Sequence, residues 1–165
     1  MTGVQTCALP ICMDSTISQY CHFGWGKESL GVDNYPAKCS SLALEYMRDK
    51  KSKRALDIGC AIGRSSFELA KGFDEVIGID FSTRFIQEAQ RLKDSGVLRY
   101  KLQTQGDLTE SYEIDISDFY TKEQLDRVSF AQGDACNLKP IYTNFDLILG
   151  EIGRASCRER VSSPV

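Results

Sequence analysis

Residues 54–64 read RALDIGCAIGR, and this stretch decides the fold. Residues 55–58 form a short apolar strand interrupted by Asp57, and RSSFELAKG, from Arg64 on, has the pattern of a helix that can stop at Gly72. Between them Gly59 and Gly63 carry no bulky side chains, so the backbone can approach a ligand where strand turns into helix. The helix N-terminus at that turn offers free N–H groups and the positive end of a dipole. A glycine turn between strand and helix also serves purely structural ends, so its meaning depends on the neighbouring strand ends.

Two further strand ends repeat the theme. EVIGIDFS, residues 75–82, places Asp80 at the end of the next strand, roughly twenty residues on, where a carboxylate can hold a ribose diol. FAQGDACN, residues 130–137, places Asp134 after a third strand, where an acceptor can read an adenine amino group. Ser82 can cap a helix with Phe85, Ile86, Ala89 and Leu92 on one face and Gly96 at its end. VLRYKLQ and LTESYEIDI, on either side of Gly106 and Asp107, predict a hairpin inserted into the series. A short polar helix is expected at 122–125, and strands at 128–131 and 145–149. Upstream, 16–32 reads as an irregular aromatic and glycine-rich segment. From Asn34 a helix follows, its expected face being Tyr35, Cys39, Leu42, Ala43, Tyr46 and Met47. Alternating strands and helices predict an α/β fold with a mostly parallel, doubly wound sheet.

The ligand type follows from spacing and charge. A dinucleotide fingerprint is G-x-G-x-x-G, whereas here three residues separate Gly59 from Gly63 and Asp57 precedes them. A carboxylate beside a pyrophosphate is repelled; beside a cationic ligand it is favoured. The pattern D-x-G-C-x-x-G resembles motif I of class I methyltransferases that use S-adenosylmethionine (SAM), a ligand with an ammonium and a sulfonium and no phosphate. Three longer stretches, QYCHFGWGKESLGVDNYPAK, RALDIGCAIGRSSFELAKGFDEVIGIDFSTRFIQEAQ and RVSFAQGDACNLKP, resemble the C-terminal mercaptohistidine N-methyltransferase domain of the 5-histidylcysteine sulfoxide synthases of ovothiol biosynthesis.

That resemblance implies a Rossmann-like methyltransferase sheet, SAM as methyl donor and a thiol-substituted histidine as the small-molecule acceptor. It implies that Asp57, Gly59, Cys60 and Gly63 face the methionine part of SAM. Asp80 and Phe81 would hold ribose and adenine, and Asp134 and Ala135 the far side of the adenine. Cys60 is expected to pack rather than attack, because sulfonium chemistry needs no covalent intermediate. Residues 20–25 are expected to close over the site, with His22, the single histidine, as a local hydrogen-bonding residue more readily than a catalyst. The sequence singles out no catalytic residue. The implied partner is an iron-dependent sulfoxide synthase, fused or separate, since one histidine cannot build its iron site. A nicotinamide-dependent oxidoreductase and a non-catalytic SAM-binding domain stand as the competing functions.

The ends and the composition bound the rest. Residues 1–11 and 151–161 resemble translated sequencing adapters, so 1–12 and 151–165 are expected to be foreign and 13–150 a partial methyltransferase domain. The helix, strands and acceptor contacts expected after residue 149 are then missing, which predicts a C-terminally truncated fold with weak or absent turnover. A formal charge of −3 over 165 residues gives no footprint for nucleic acid, and no apolar run is long enough for a membrane span. Cys21, Cys39, Cys60 and Cys136 show neither zinc spacing nor a disulfide framework, which fits a reducing cytoplasm.

Overall fold

A computed structural model describes residues 14–26, 34–50 and 52–150; the two adapter-like segments lie outside the described residues. In chain order come α1 (Ser15–Trp25), α2 (Tyr35–Met47), β1 (Arg54–Ile58), α3 (Arg64–Leu69), β2 (Glu75–Asp80) and α4 (Thr83–Ser95). The hairpin strands β3 (Val97–Gln105) and β4 (Leu108–Asp115) come next, then α5 (Lys122–Asp126), β5 (Val128–Gln132) and β6 (Leu147–Gly150). Four strands form one sheet in the order β5-β2-β1-β6, and β3 and β4 pair separately. Every pair in the larger sheet is parallel, while the hairpin is antiparallel. The chain winds from β1 outward to β5, then crosses back to place β6 on the other side of β1. The expected doubly wound α/β sheet with an inserted hairpin is therefore present.

The register is set at the strand starts. Arg54 directs Nε at Glu75 Oε2 at 2.6 Å and Nη1 at the Thr143 carbonyl at 2.8 Å, with its guanidinium 4.7 Å from the Phe145 ring centre. Asp146 Oδ2 accepts from the backbone N–H groups of Lys53 and Arg54 at 3.1 and 3.0 Å. One arginine and one aspartate thus align the first residues of β1, β2 and β6. The last strand begins at Leu147 rather than 145, because Phe145 is used as the platform for Arg54.

Helix boundaries follow side-chain caps. Asp14 accepts from the N–H groups of Thr16 and Ile17, Ser82 accepts from Phe85, and Gly96 closes α4 in the left-handed conformation. Of the segment expected to be irregular over 16–32, residues 27–32 lie outside the described residues, and the part up to residue 25 instead lies in α1. Its buried residues Ile17, Cys21, Gly24 and Trp25 lie at helical spacing, and the aromatics on its other sides mask that period. The face of α2 also differs from expectation. Of the expected face, Met47 is buried and Ala43 packs against the core, but Tyr35, Leu42 and Tyr46 are exposed, and Pro36 and Ser40 are buried instead. Small residues decide this: Ser40 and Ser65 each donate to a carbonyl of the other helix segment, at 3.4 Å, so α2 and α3 approach closely.

The core joins the sheet to the hairpin. Phe67, Leu69, Phe73, Val76 and Tyr100 are fully buried, each worth about 1.5–3 kcal/mol in transfer terms. Tyr100 and Tyr112 stack across the hairpin at 5.1 Å between ring centres. Glu68, also buried, is neutralised by Arg64 at 3.0 Å and Lys71 at 2.7 Å and accepts from the Tyr120 hydroxyl at 2.7 Å. That arrangement satisfies a charge whose burial is otherwise costly. Among the described residues no helix is long and apolar enough to cross a membrane, and no group of three or more His, Cys, Asp or Glu could hold a metal ion.

Candidate functional site

The C-terminal ends of β1, β2 and β5 bring the candidate residues together beside the point where the winding reverses, which is where open α/β sheets bind ligands. The β1–α3 turn is held in place from β2. The Ile79 carbonyl accepts from the N–H groups of Gly59 and Cys60 at 2.8 and 3.0 Å. Asp80 Oδ2 accepts from the Ala61 N–H at 3.0 Å, while Oδ1 accepts from the Ser82 N–H at 2.8 Å. Asp80 therefore joins the glycine turn to the start of α4. Two of its roughly four lone-pair positions are used, and the others are available to a diol.

Gly59, Ala61 and Gly63 have φ of +80°, +48° and +87°. Gly59 permits the turn. Gly63 has a second reason to be glycine: a Cβ there would lie 2.6 Å from Phe130 Cζ, so it permits α3 to pack on β5 rather than a ligand to approach. Ala61 adopts a left-handed conformation that L residues avoid, stabilised by its bond to Asp80. Its importance is invisible in sequence, since it occupies an unspecified position of the motif.

The remaining candidates fall at differing depths. Asp57 is 1% exposed and accepts from Ser66 Oγ at 2.6 Å on the α3 side of the sheet. It is not among the residues that line the crevice beside the turn. Cys60 is buried, and burial first, then Asp57 and Asp80, raises its thiol well above the ordinary range; it is a packing thiol, not a nucleophile. Phe81 is 72% exposed at the end of β2. The carbonyl of Phe81 accepts from Gln132 Nε2 at 3.2 Å, and the Gly133 N–H donates to the Asp80 carbonyl at 2.9 Å, so the ends of β2 and β5 are tied. Asp134 is exposed, its Oδ1 accepting from the Cys136 N–H at 2.9 Å, and Ala135 is half-buried beside it.

Helix α1 lies across the turn. Tyr20, Phe23 and Gly24 line a crevice of about 70 Å³ together with Gly59, Cys60 and Ala61. The 20–25 segment thus covers the site as expected, although as a helix. This crevice is small against the several hundred Å³ of a nucleoside pocket. A larger open hollow of about 640 Å³ runs along α4 past Ile86, Gln90 and Asp94 to Phe130; it includes none of the strand-end residues, and the chemistry argues for the crevice. His22 sits on the far side of α1, with Nδ1 3.1 Å from the Tyr100 hydroxyl and its ring 5.0 Å from that of Tyr112. It joins α1 to the hairpin.

Residues 49–153 match a family described as a methyltransferase domain. The chain belongs to this methyltransferase family. No curated protein matches it. Among solved structures it is similar to the YcgJ protein from Bacillus subtilis (18% identity, TM-score 0.47, covering 68% of this chain and 37% of that one). It is similar to an S-adenosylmethionine-dependent methyltransferase from Clostridium acetobutylicum (21%, 0.46, covering 73% and 37%). It is also similar to a putative methyltransferase of that class from Methanococcus maripaludis (24%, 0.47, covering 77% and 45%). The methyltransferase chain therefore spans less than half the length of these three proteins. Its fold assignment rests on its own strand order and on the family match.

Proposed function

We propose that this methyltransferase domain binds SAM at the ends of β1, β2 and β5, and that in the whole protein it methylates an imidazole nitrogen of a thiol-substituted histidine. The observation that carries the first part is the Asp80 bridge, which holds the β1–α3 turn at Ala61 while keeping carboxylate lone pairs for a ribose diol. The exposed Phe81 ring and the Asp134 carboxylate, tied to the same place through Gly133, suit an adenine. Among the described residues the only charged side chain lining the crevice is Arg64, whose Nη2 already pairs with Glu68 at 3.0 Å. That lining offers a pyrophosphate no unpaired cation.

Bound SAM would supply a methyl group on a sulfonium that leaves readily. The chain's own part is to position: the Gly59–Ala61 backbone shapes the methionine end, Asp80 fixes the ribose, and α1 excludes water. An imidazole nitrogen is substantially unprotonated near neutral pH, so no general base is required of this site. The mercaptohistidine acceptor and the partnership with an iron-dependent sulfoxide synthase rest on the sequence resemblance. The cysteine spacing, which shows no disulfide framework, supports a cytoplasmic setting.

Calorimetric titration of the chain with S-adenosylhomocysteine, the demethylated product form of SAM, and separately with NADH is the direct test. Binding of the first and not the second is expected, with Asp80→Asn weakening it roughly 10- to 100-fold, as for loss of a charged hydrogen-bond acceptor. NADH binding alone would overturn the reading.

A further inference from the structure

Tyr20 and Phe23 of α1 line the crevice, and each meets an aromatic ring of a neighbouring helix, giving a strip of four rings in two pairs. Phe85 of α4 lies 4.6 Å from Tyr20, and Phe23, one turn along α1, lies 6.2 Å from Tyr35 of α2. Phe23 is 53% exposed, and Tyr20 and Tyr35 are exposed too, although α1 has a well-buried opposite face in Ile17, Cys21 and Trp25. Isolated exposed aromatics need no explanation; paired ones beside a cleft do. The strip is also held rigidly. Asn34 Nδ2 donates to the carbonyls of Phe23 and Gly24 at 2.8 and 3.1 Å, while its Oδ1 accepts from the Ala37 N–H at 3.1 Å. One amide thus ends α1, starts α2 and fixes the angle between Phe23 and Tyr35. Asp14 adds a second tether, reaching Arg84 at the head of α4 at 2.8 Å.

Tyr20 and Phe23 line the same crevice as Gly59, Cys60 and Ala61, so the strip adjoins the end of the site that the methionine part of the cofactor would occupy. Among the described residues the crevice lining contains no acidic side chain. Its one cation, Arg64, is paired with Glu68 and lies 4.7 Å from the Trp25 ring centre, directed into the core cluster. Recognition at this wall therefore falls to aromatic faces, whose quadrupoles attract cations and whose flat surfaces stack on planar rings.

We infer that Tyr20, Phe23 and Tyr35 form the acceptor wall of the site, and that they take a planar nitrogen heterocycle that carries, or on methylation gains, positive charge. This deepens the proposed function and rests on it. An acceptor recognised mainly through a carboxylate or a phosphate is disfavoured, because among the described residues no unpaired cation lines the wall. Aromatic faces also favour the charge that methylation places on the acceptor nitrogen, which is transition-state rather than uniform binding.

The test is an NMR titration of the chain loaded with S-adenosylhomocysteine, using N-methylimidazole as probe and cyclopentanecarboxylate as an anionic ring of similar size. The heterocycle should perturb the Tyr20, Phe23 and Tyr35 ring resonances saturably, and the carboxylate should not. Phe23→Leu, which keeps an apolar side chain and removes the π face, should weaken the probe roughly three- to tenfold. Phe23→Tyr should restore it, each variant being titrated at saturating S-adenosylhomocysteine. Equal responses to the two probes, or an unchanged probe affinity in Phe23→Leu, would overturn the inference while leaving cofactor binding intact. Failure of S-adenosylhomocysteine to bind would remove the reading beneath it as well.

Discussion

Gly63 shows how a single residue in a binding motif can answer to packing. Its φ of +87° and the 2.6 Å separation of a Cβ from Phe130 Cζ are independent penalties, one conformational and one steric. Gly63→Ala should destabilise the chain by about 2–4 kcal/mol, read as a lower urea midpoint at unchanged slope. A loss below about 0.5 kcal/mol would mean that Phe130 can give way freely and that the steric account fails. The neighbouring Ala61 is the opposite case, a strained residue that sequence could not single out. The strain is legible only once Asp80, nineteen positions away in the chain, is seen to hold its N–H. Asp80 and Asp134 could be picked out because strand ends are marked by the change from apolar run to turn. The depth of Asp57 could not, because burial on the α3 side depends on Ser66 coming over it.

At the scale of elements, β6 forms a border of the parallel sheet. It pairs with β1 over Ala55–Ile58, and among the described residues no strand pairs with its other side. Ile148 on β6 is 59% exposed and shares a face with Leu56 and Ile77 through the parallel register. An apolar edge strand with free backbone groups is a template for pairing with another chain. Concentration-dependent self-association is therefore expected in sedimentation velocity, and Ile148→Lys should reduce it with a change in folding stability within about 0.5 kcal/mol. Association unaffected by that change would place the contact elsewhere. The strands and α4 were legible because most carry a short apolar run or alternation with a cap or turn residue at its end. α1 was not: its buried face is interleaved with Tyr20, His22 and Phe23, whose placement is decided by the crevice and the hairpin they meet. α2 was recognised as a helix, yet its inward face is the one lined by Ser40, because close approach to Ser65 outweighs the burial of Tyr35 or Tyr46.

Across the whole molecule the hairpin, α1 and the sheet share one aromatic core, and that core has a pH signature. Burial raises the phenol of Tyr100, with Cys21 and Tyr112 adding to it, and burial followed by Glu68 raises that of Tyr120. An acid whose folded pKa lies above its unfolded value, about 10 for tyrosine, contributes stability that is complete below that pH and lost as the pH climbs past it. The buried Cys60 thiol acts in the same direction from a lower starting point. Urea midpoints should accordingly hold steady from neutrality to about pH 8, decline slightly above that and fall more steeply beyond about pH 10, with the phenolate absorbance of Tyr100 and Tyr120 appearing only with unfolding. A midpoint that stays level through pH 11, or native-state phenolate signal that Tyr100→Phe or Tyr120→Phe removes, would show that these phenols are open to solvent.

The sequence by itself determined the α/β alternation, the strand ends that carry Asp80 and Asp134, the glycine turn and the inserted hairpin, because periodicity, caps and turn residues act over a few neighbouring positions. Tertiary structure alone decided the rest: the left-handed backbone at Ala61, the burial of Asp57, the inward residues Pro36 and Ser40 of α2, and the helical form of the segment that lies across the crevice. Those features depend on contacts between residues far apart in the chain, and local patterns record which side chains are apolar but not which surface each will meet.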